Sequence, residues 1–338
     1  MKVKFSFIIP VYNRPDELKE LLESFKYQSK KTLAYEIIIV DDGSTVDLLP
    51  VIQRYENLLP LRYMRKKNSG PGHSRNIGMQ EAKGKYFVIL DSDVILPDGY
   101  LQELNRLEEE DKLAAAGGGA DMSRNDFSSF IRAVDLAMTS FSTTGGIRGK
   151  KRNMTRYVPR SFNMIVRRDV FKKTGGFGNM HPGEDPEWIY RIWEKGFASV
   201  FYPSLPVFHK RRSNWKSFWK QMNKFGIARG ILNRAYPQYA SAVYYFPAIY
   251  SAGLILAALL AAGGRFFLLY LYIIYWLIIL AEFLWRSKSI RLSLLAWLVF
   301  QVQMFAYATG LIRAVFMLYI LRKSPAEAFP FMFFKKRE

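Results

Sequence analysis

Up to about Arg212 the chain alternates short, nearly continuous apolar runs with longer stretches in which apolar residues recur at helical spacing. Phe5 to Ile9, Glu36 to Val40, Leu61 to Arg65 and Tyr86 to Leu90 are the short runs. They are too brief for typical helices and rich in branched and aromatic residues, so they predict buried strands. Asp16 to Gln28 sets Leu18, Leu21, Leu22 and Phe25 on one helical face, and a further helix is predicted from about His73 to Ala82. Strand and helix in repetition predict an α/β fold, a doubly wound and mostly parallel sheet that takes its ligands at the carboxyl ends of the strands. Three of those ends, at Tyr12, Asp42 and Asp91, fall on one rim.

Beyond about Arg212 the pattern changes. Asn214 to Tyr236 mixes Trp215, Phe218, Trp219, Met222 and Phe225 with Lys216, Lys220, Lys224 and Arg229, the pattern of an amphipathic helix lying in the headgroup plane or packed on the catalytic domain. Two apolar stretches follow, 244–263 and 266–285, each about 20 residues and long enough to cross a hydrocarbon layer of roughly 30 Å. Gly263-Gly264-Arg265 joins them as a hairpin. A third stretch, 293–321, contains Gln301, Gln303, Gly310 and Arg313, and its orientation stays open. The expected organisation is therefore a catalytic domain over 1–212, an interfacial region over 213–240, an α-helical membrane region over 241–323 and a basic tail over 324–338.

The net charge of +20 at pH 7 calls for an anionic partner. Much of it flanks the apolar stretches, at Lys210 to Arg212, at Arg286, Lys288 and Arg291, and at Lys335 to Arg337, so an anionic membrane fits better than nucleic acid. No zinc-finger spacing or basic zipper is present to read nucleic acid. With no cysteine in the chain, thiolate metal sites and thiol nucleophiles are excluded. Phe5 to Val11 is short and lacks a cleavage site after it, which places the front of the chain in the cytosol of a multi-pass inner-membrane protein. Arg148 to Arg160 carries six basic residues and reads as solvated surface, as a clamp on an acceptor phosphate or as a contact with anionic headgroups.

The chemistry centres on Gly84 to Val94, where the Tyr86 to Leu90 run ends in Asp91-Ser92-Asp93. Two carboxylates so close are costly to bury unless a cation lies between them. A hard divalent ion, Mg²⁺ or Mn²⁺, supplies that cation and takes substrate phosphates as further ligands. The competing reading is a pair of turn-capping aspartates ahead of a helix begun by Pro97. Gly183-Glu184-Asp185-Pro186 reads locally as a helix start, with Asp185 as N-cap and Pro186 in the first turn, running to Lys195.

FSFIIPVYNR, EIIIVDDGS, GPGHSRNIGMQEAKGKYFVILDSDV, GGF and GEDPEWIYRIWEKG resemble, in that order, the family 2 glycosyltransferases of GT-A fold, over roughly Val3 to His209. The resemblance implies inverting transfer of a sugar from a nucleotide diphosphate donor (UDP or GDP) with a divalent metal. It implies Asp41 or Asp42 on the nucleobase with Pro10 and Tyr12 nearby, and Arg75 near the phosphates or base. Asp93 is then the metal ligand, with Asp91 and Ser92 nearer the ribose or sugar and His209 a candidate to complete the metal site. Asp185 is the base that takes the proton of the incoming hydroxyl, Glu184 is the alternative, and Gly176, Phe177 and Trp188 lie on the acceptor side. His73 and His181 lie in no ligand pattern.

The apolar stretches imply a lipid-linked acceptor, a polyprenyl-linked saccharide. Two enzymatic alternatives are a polyprenyl-phosphate glycosyl transferase and a processive synthase. The second is disfavoured because Gln221-Met222-Asn223-Lys224-Phe225 departs from the Gln-x-x-Arg-Trp of processive relatives. A sugar-nucleotide-binding scaffold is the alternative outside enzymology.

Overall fold

The computed structural model describes residues 3–28, 34–144, 156–210 and 214–334. Most of the basic Arg148 to Arg160 loop lies outside them, as do Arg211, Arg212 and Lys335 to Arg337. The chain divides into two units, Met1–Met122 with Lys151–His209 and Phe333–Glu338, and Ser123–Lys150 with Lys210–Met332.

Among the described residues of the first unit, ten strands form two sheets: β1 (Phe5–Val11), β2 (Tyr35–Asp41), β3 (Leu61–Arg65), β4 (Tyr86–Ile89), β5 (Val94–Ile95), β6 (Ala116–Gly118), β7 (Asp121–Met122), β8 (Met164–Arg167), β9 (Ser199–Phe201) and β10 (Val207–His209). The larger sheet has the order β3-β2-β1-β4-β8-β6-β9. β3, β2, β1 and β4 run parallel, and β8 is antiparallel to both its neighbours. Alternation along the strands explains their near-continuous apolar sequence. Phe5, Phe7, Ile9, Ile37, Ile39 and Val88 enter one core, while Ile8, Ile38, Val40, Phe87 and Ile89 enter the other. Both faces of the sheet are covered, as a parallel sheet requires.

The helices sit within two or three residues of expectation at Pro15–Lys26 and Pro71–Glu81. Two starts differ. Pro97 does not open a helix: β5 comes first, and the next helix is Tyr100–Glu109 with Gly99 in the left-handed region as its N-cap. Asp185 is not an N-cap either, because the helix is Glu184–Glu194 and Gly183, at φ 120°, holds the cap position.

The smaller sheet has the order β5-β10-β7. β10 pairs antiparallel with β5 and parallel with β7, opposing His209 to Val94 and Val207 to Asp121. Three segments far apart in sequence thereby meet beside the carboxyl end of β4.

In the second unit, Ala242–Ala262, Phe267–Ser287 and Ile290–Ile320 are long and apolar enough to cross a membrane. The third is continuous: an α-helix over Ile290–Val315, about 39 Å at 1.5 Å per residue, runs into a π-helical turn over Phe316–Ile320. The Trp215–Ala235 helix packs along it. A Cβ at Gly226 would collide with the Tyr307 carbonyl, and one at Gly310 with the Asn223 carbonyl, so glycine is what lets the two backbones approach. Phe218, Met222, Ile227 and Ile231 are consequently buried. The Trp215–Ala235 helix is thus one member of a close-packed helix pair, with Trp215 and Trp219 left exposed.

Candidate active site

Asp91 and Asp93 follow β4, and β10 brings His209 to them. One ligand atom from each of the three lies within 4.8 Å of the others. His209 Nε2 is 3.4 Å from Asp93 Oδ1, and its Nδ1 is 3.5 Å from Asp121 Oδ2. The ring stacks on Phe162 at 4.9 Å, which fixes its plane. Arg14 donates to Asp93 Oδ2. Burial alone would lower the His209 pKa, but Asp93 and Asp121 outweigh it and push it up to about 9. Burial alone would raise the Asp93 carboxyl, which His209 and Arg14 hold well below the usual carboxylate range.

These residues fit a hard divalent cation. Asp93 Oδ1 is buried and has no hydrogen-bond partner, and two carboxylates with one imidazole form a donor set suited to Mg²⁺ or Mn²⁺. Asp121 supports His209 from its far nitrogen, as carboxylates commonly do for ligating histidines.

Beside this cluster Arg75 bridges two carboxylates. Its Nη2 donates to Asp91 Oδ1 at 2.6 Å and its Nη1 to Glu184 Oε1 at 3.0 Å. The guanidinium lies over the Phe177 ring, 5.1 Å from its centroid, and is 3% exposed. Glu184 Oε1 also meets His181 Nδ1 at 2.8 Å. Burial would raise Glu184, yet His181 and Arg75 bring it down to about 2. Asp185, the next residue, moves the other way: burial and the Glu184 charge push it up to about 6 against Arg75 and Arg160. Its Oδ1 is buried without a partner.

Along the rim, Asp41 accepts from Ser44 N and from the Tyr63 hydroxyl, each at 2.8 Å. Asp42 accepts from Lys66 and, at 2.9 Å each, from Ser69 N and Gly70 N. Both carboxylates brace the loops around them. Tyr12 is about half exposed beside them, whereas Pro10 is buried within β1 and Ser92 is buried behind the aspartates.

Two expectations change, one on the acceptor side and one for the base. Trp188 is fully buried in the core with its indole N–H on Thr174 Oγ1 at 2.8 Å, so it lines no pocket. Glu184 is locked between Arg75 and His181 and is too weak a base to rival Asp185. Phe177 lies beneath Arg75, and Gly176, at φ 77°, lets the loop pass Asn76, which bonds Phe177 N and O at 2.8 Å. Sequence reasoning missed Arg14, Asp121 and His181. The first stood in plain sight in PVYNR; the other two carry no local pattern and reach the site only through β7, β10 and the Glu184 helix start.

A sequence profile described as Glycosyl transferase family 2 matches residues 6–175, half of the chain. The chain belongs to that family. This family member is 32% identical over 157 residues to an uncharacterized glycosyltransferase of Rickettsia bellii, covering 42% of its own length and 22% of that relative. It is 24% identical over 230 residues to the glycosyltransferase AglE of Haloferax volcanii, 67% of this chain and 72% of that one. Among solved structures, the mannosyltransferase PcManGT from Pyrobaculum calidifontis, in complex with GDP-Man and Mn²⁺, matches with a TM-score of 0.59 at 18% identity over 91% of this chain and 87% of that one. That likeness establishes the shared fold.

Proposed function

We propose that this family 2 glycosyl transferase moves a sugar, with inversion, from a nucleoside diphosphate donor to a hydroxyl of a polyprenyl-linked saccharide at an inner-membrane surface. The observation that carries the reading is the convergence of Asp91, Asp93 and His209 within 4.8 Å at the carboxyl end of a parallel sheet. The Mn²⁺ and GDP-Man bound together in the PcManGT complex support it.

Asp93, Asp91 and His209 hold a divalent cation, Mg²⁺ or Mn²⁺. Bound there, that ion acts as a Lewis acid toward the diphosphate leaving group. Asp41, Asp42, Pro10 and Tyr12 form the base-binding rim, and Arg75, Asp91 and Ser92 orient the sugar and phosphate end. Asp185 removes the proton of the attacking hydroxyl through its unpartnered Oδ1, a task suited to a carboxyl whose pKa is raised to about 6. Phe177 and the Gly176 turn border the acceptor.

The lipid-linked acceptor is supported by the second unit, whose three helices are long and apolar enough to cross a membrane. A cavity of about 620 Å³ among them, lined by Met222, Phe225, Tyr250, Tyr275, Gln303 and other mostly apolar residues, suits a lipid chain.

The test is turnover of UDP- and GDP-sugars by the detergent-purified chain with Mn²⁺ or Mg²⁺ and membrane lipid extract, beside Asp185→Asn. Metal-dependent transfer to a lipid-extractable product, lost in the variant while donor binding persists, is expected. Donor binding without transfer from any donor would overturn the enzymatic reading in favour of a scaffold. Transfer to a free sugar as fast as to lipid would overturn the lipid-linked acceptor.

A further inference from the structure

Each carboxylate of the candidate metal site carries an arginine, and the two arginines are held differently. Arg75, on Asp91, is built in: it is buried, stacked on Phe177 and bonded at its other nitrogen to Glu184. Arg14, on Asp93, has a side chain 29% exposed, and Asp93 is the partner it hydrogen-bonds. Its backbone is pinned. Asn13 N donates to Ser44 Oγ at 2.9 Å, Asn13 Oδ1 accepts from Thr45 N at 2.8 Å, and Pro15 opens the following helix. The side chain alone is free to turn.

Arg14 holds Asp93 Oδ2, so a divalent cation taking the unpartnered Oδ1 is repelled by the guanidinium beside it. We propose that Arg14 is a displaceable counter-ion of Asp93, neutralising it while the donor is absent and turning to the donor's diphosphate when donor and cation arrive together. The inference rests on reading Asp91, Asp93 and His209 as the cation site. A bare cation must displace Arg14 into water and forfeit its ion pair. A cation arriving with a diphosphate gives Arg14 a new anion of matching fork geometry. Cation and nucleotide then bind cooperatively, each raising the affinity of the other by the same factor.

The experiment is titration of the full-length purified chain with Mn²⁺ alone, free Mn²⁺ being read by electron paramagnetic resonance, then with UDP and with GDP in separate runs. Arg14→Gln is expected to bind Mn²⁺ about three- to tenfold more tightly without nucleotide, the order of one solvent-screened ion pair, and to show a smaller gain on adding nucleotide. Arg14→Lys, which keeps the cation, stays within about twofold of the unaltered protein. Unchanged or weaker Mn²⁺ binding by Arg14→Gln, with binding lost in Asp93→Asn, overturns the role of Arg14 and leaves the cation site standing. Arg14→Lys binding as tightly as Arg14→Gln overturns the counter-ion account, since charge would not be the cause. Mn²⁺ binding unaffected by Asp93→Asn overturns the cation site and the inference with it.

Discussion

Glu184 and Asp185 are neighbours in the chain with opposite acid strengths, because the first faces Arg75 and His181 and the second faces the charge of the first. A base must be ionised to accept a proton, so transfer should rise with pH through about 6, the value to which Asp185 is pushed. The pH profile of kcat/KM measures this. Asp185→Asn should lower transfer by about 10²- to 10⁴-fold, the usual contribution of a positioned base, and should leave donor binding intact.

The same shift has a stability consequence. From about pH 4 to about 6 an unfolded aspartate releases its proton before folded Asp185 does. The folded state therefore holds more protons in that window, and the contribution of Asp185 to stability falls as pH rises across it. Asp185→Asn should then stabilise the protein at pH 7 by on the order of 3 kcal/mol while lowering transfer. Thermal unfolding at pH 7 and at pH 4 checks it: the gain should shrink at the lower pH, and an equal gain at both would count against the raised pKa.

Arg75 answers two carboxylates at once. Arg75→Met would leave Glu184 and Asp91 without their guanidinium, at a cost of about 3 to 5 kcal/mol for breaking a buried pair from one side. Double replacement with Glu184→Gln should recover part of that loss, because the stranded charge is then removed. Melting temperatures of the single and double variants decide it, and additive losses would show that the two side chains are not coupled.

How much of this was legible beforehand follows from where each signal resides. β1 to β4 and their helices were readable because a sheet covered on both faces demands continuous apolar strands, and Asp91 to Asp93 because the strand pattern ends on them. β8 pairing antiparallel with β4 left no mark in local sequence, since Met164 to Arg167 is as apolar on a parallel as on an antiparallel edge. His209 was anticipated from a family resemblance, whereas its partner Asp121 depends on the parallel pairing of β10 with β7, which no window of sequence contains. Trp188 was misjudged for a related reason. An aromatic after a catalytic motif reads as pocket lining, but here its helical face turns into the core beneath the sheet.

Gly310 and Gly226 offer a test of the second unit. Each faces a backbone carbonyl of the partner helix, which cannot yield as a side-chain tip can. Gly310→Leu should therefore separate the Trp215–Ala235 and Ile290–Val315 helices and abolish recovery of monodisperse protein from detergent. Gly263→Ala meets only ordinary contacts, the nearest being the Leu260 carbonyl at 3.4 Å, and should be tolerated. Normal recovery of Gly310→Leu would show that the close approach is dispensable.

Phe333 and Phe334 belong to the first unit, with the strands of both sheets. Phe333 forms an antiparallel bridge with Met180, and Phe334 N donates to Asn179 O at 3.0 Å. The Phe334 ring fills the space a Cβ would take at Gly70, whose φ of 94° already favours glycine, and lies 6.3 Å from the His181 ring. Gly70 N is bonded to Asp42, and Gly70 caps the helix that carries Arg75. Losing the ring would loosen that cap and the Asp42 loop together, while Asp185 keeps its own burial. Phe334→Ala is thus expected to raise the donor KM about three- to tenfold, the range of about 1 kcal/mol for a lost aromatic contact, with a smaller change in kcat. Donor titrations at saturating acceptor separate the two constants. A fall in kcat at constant KM would mean that the aromatic tail acts on the acceptor side, through His181 and Glu184, rather than on the donor rim.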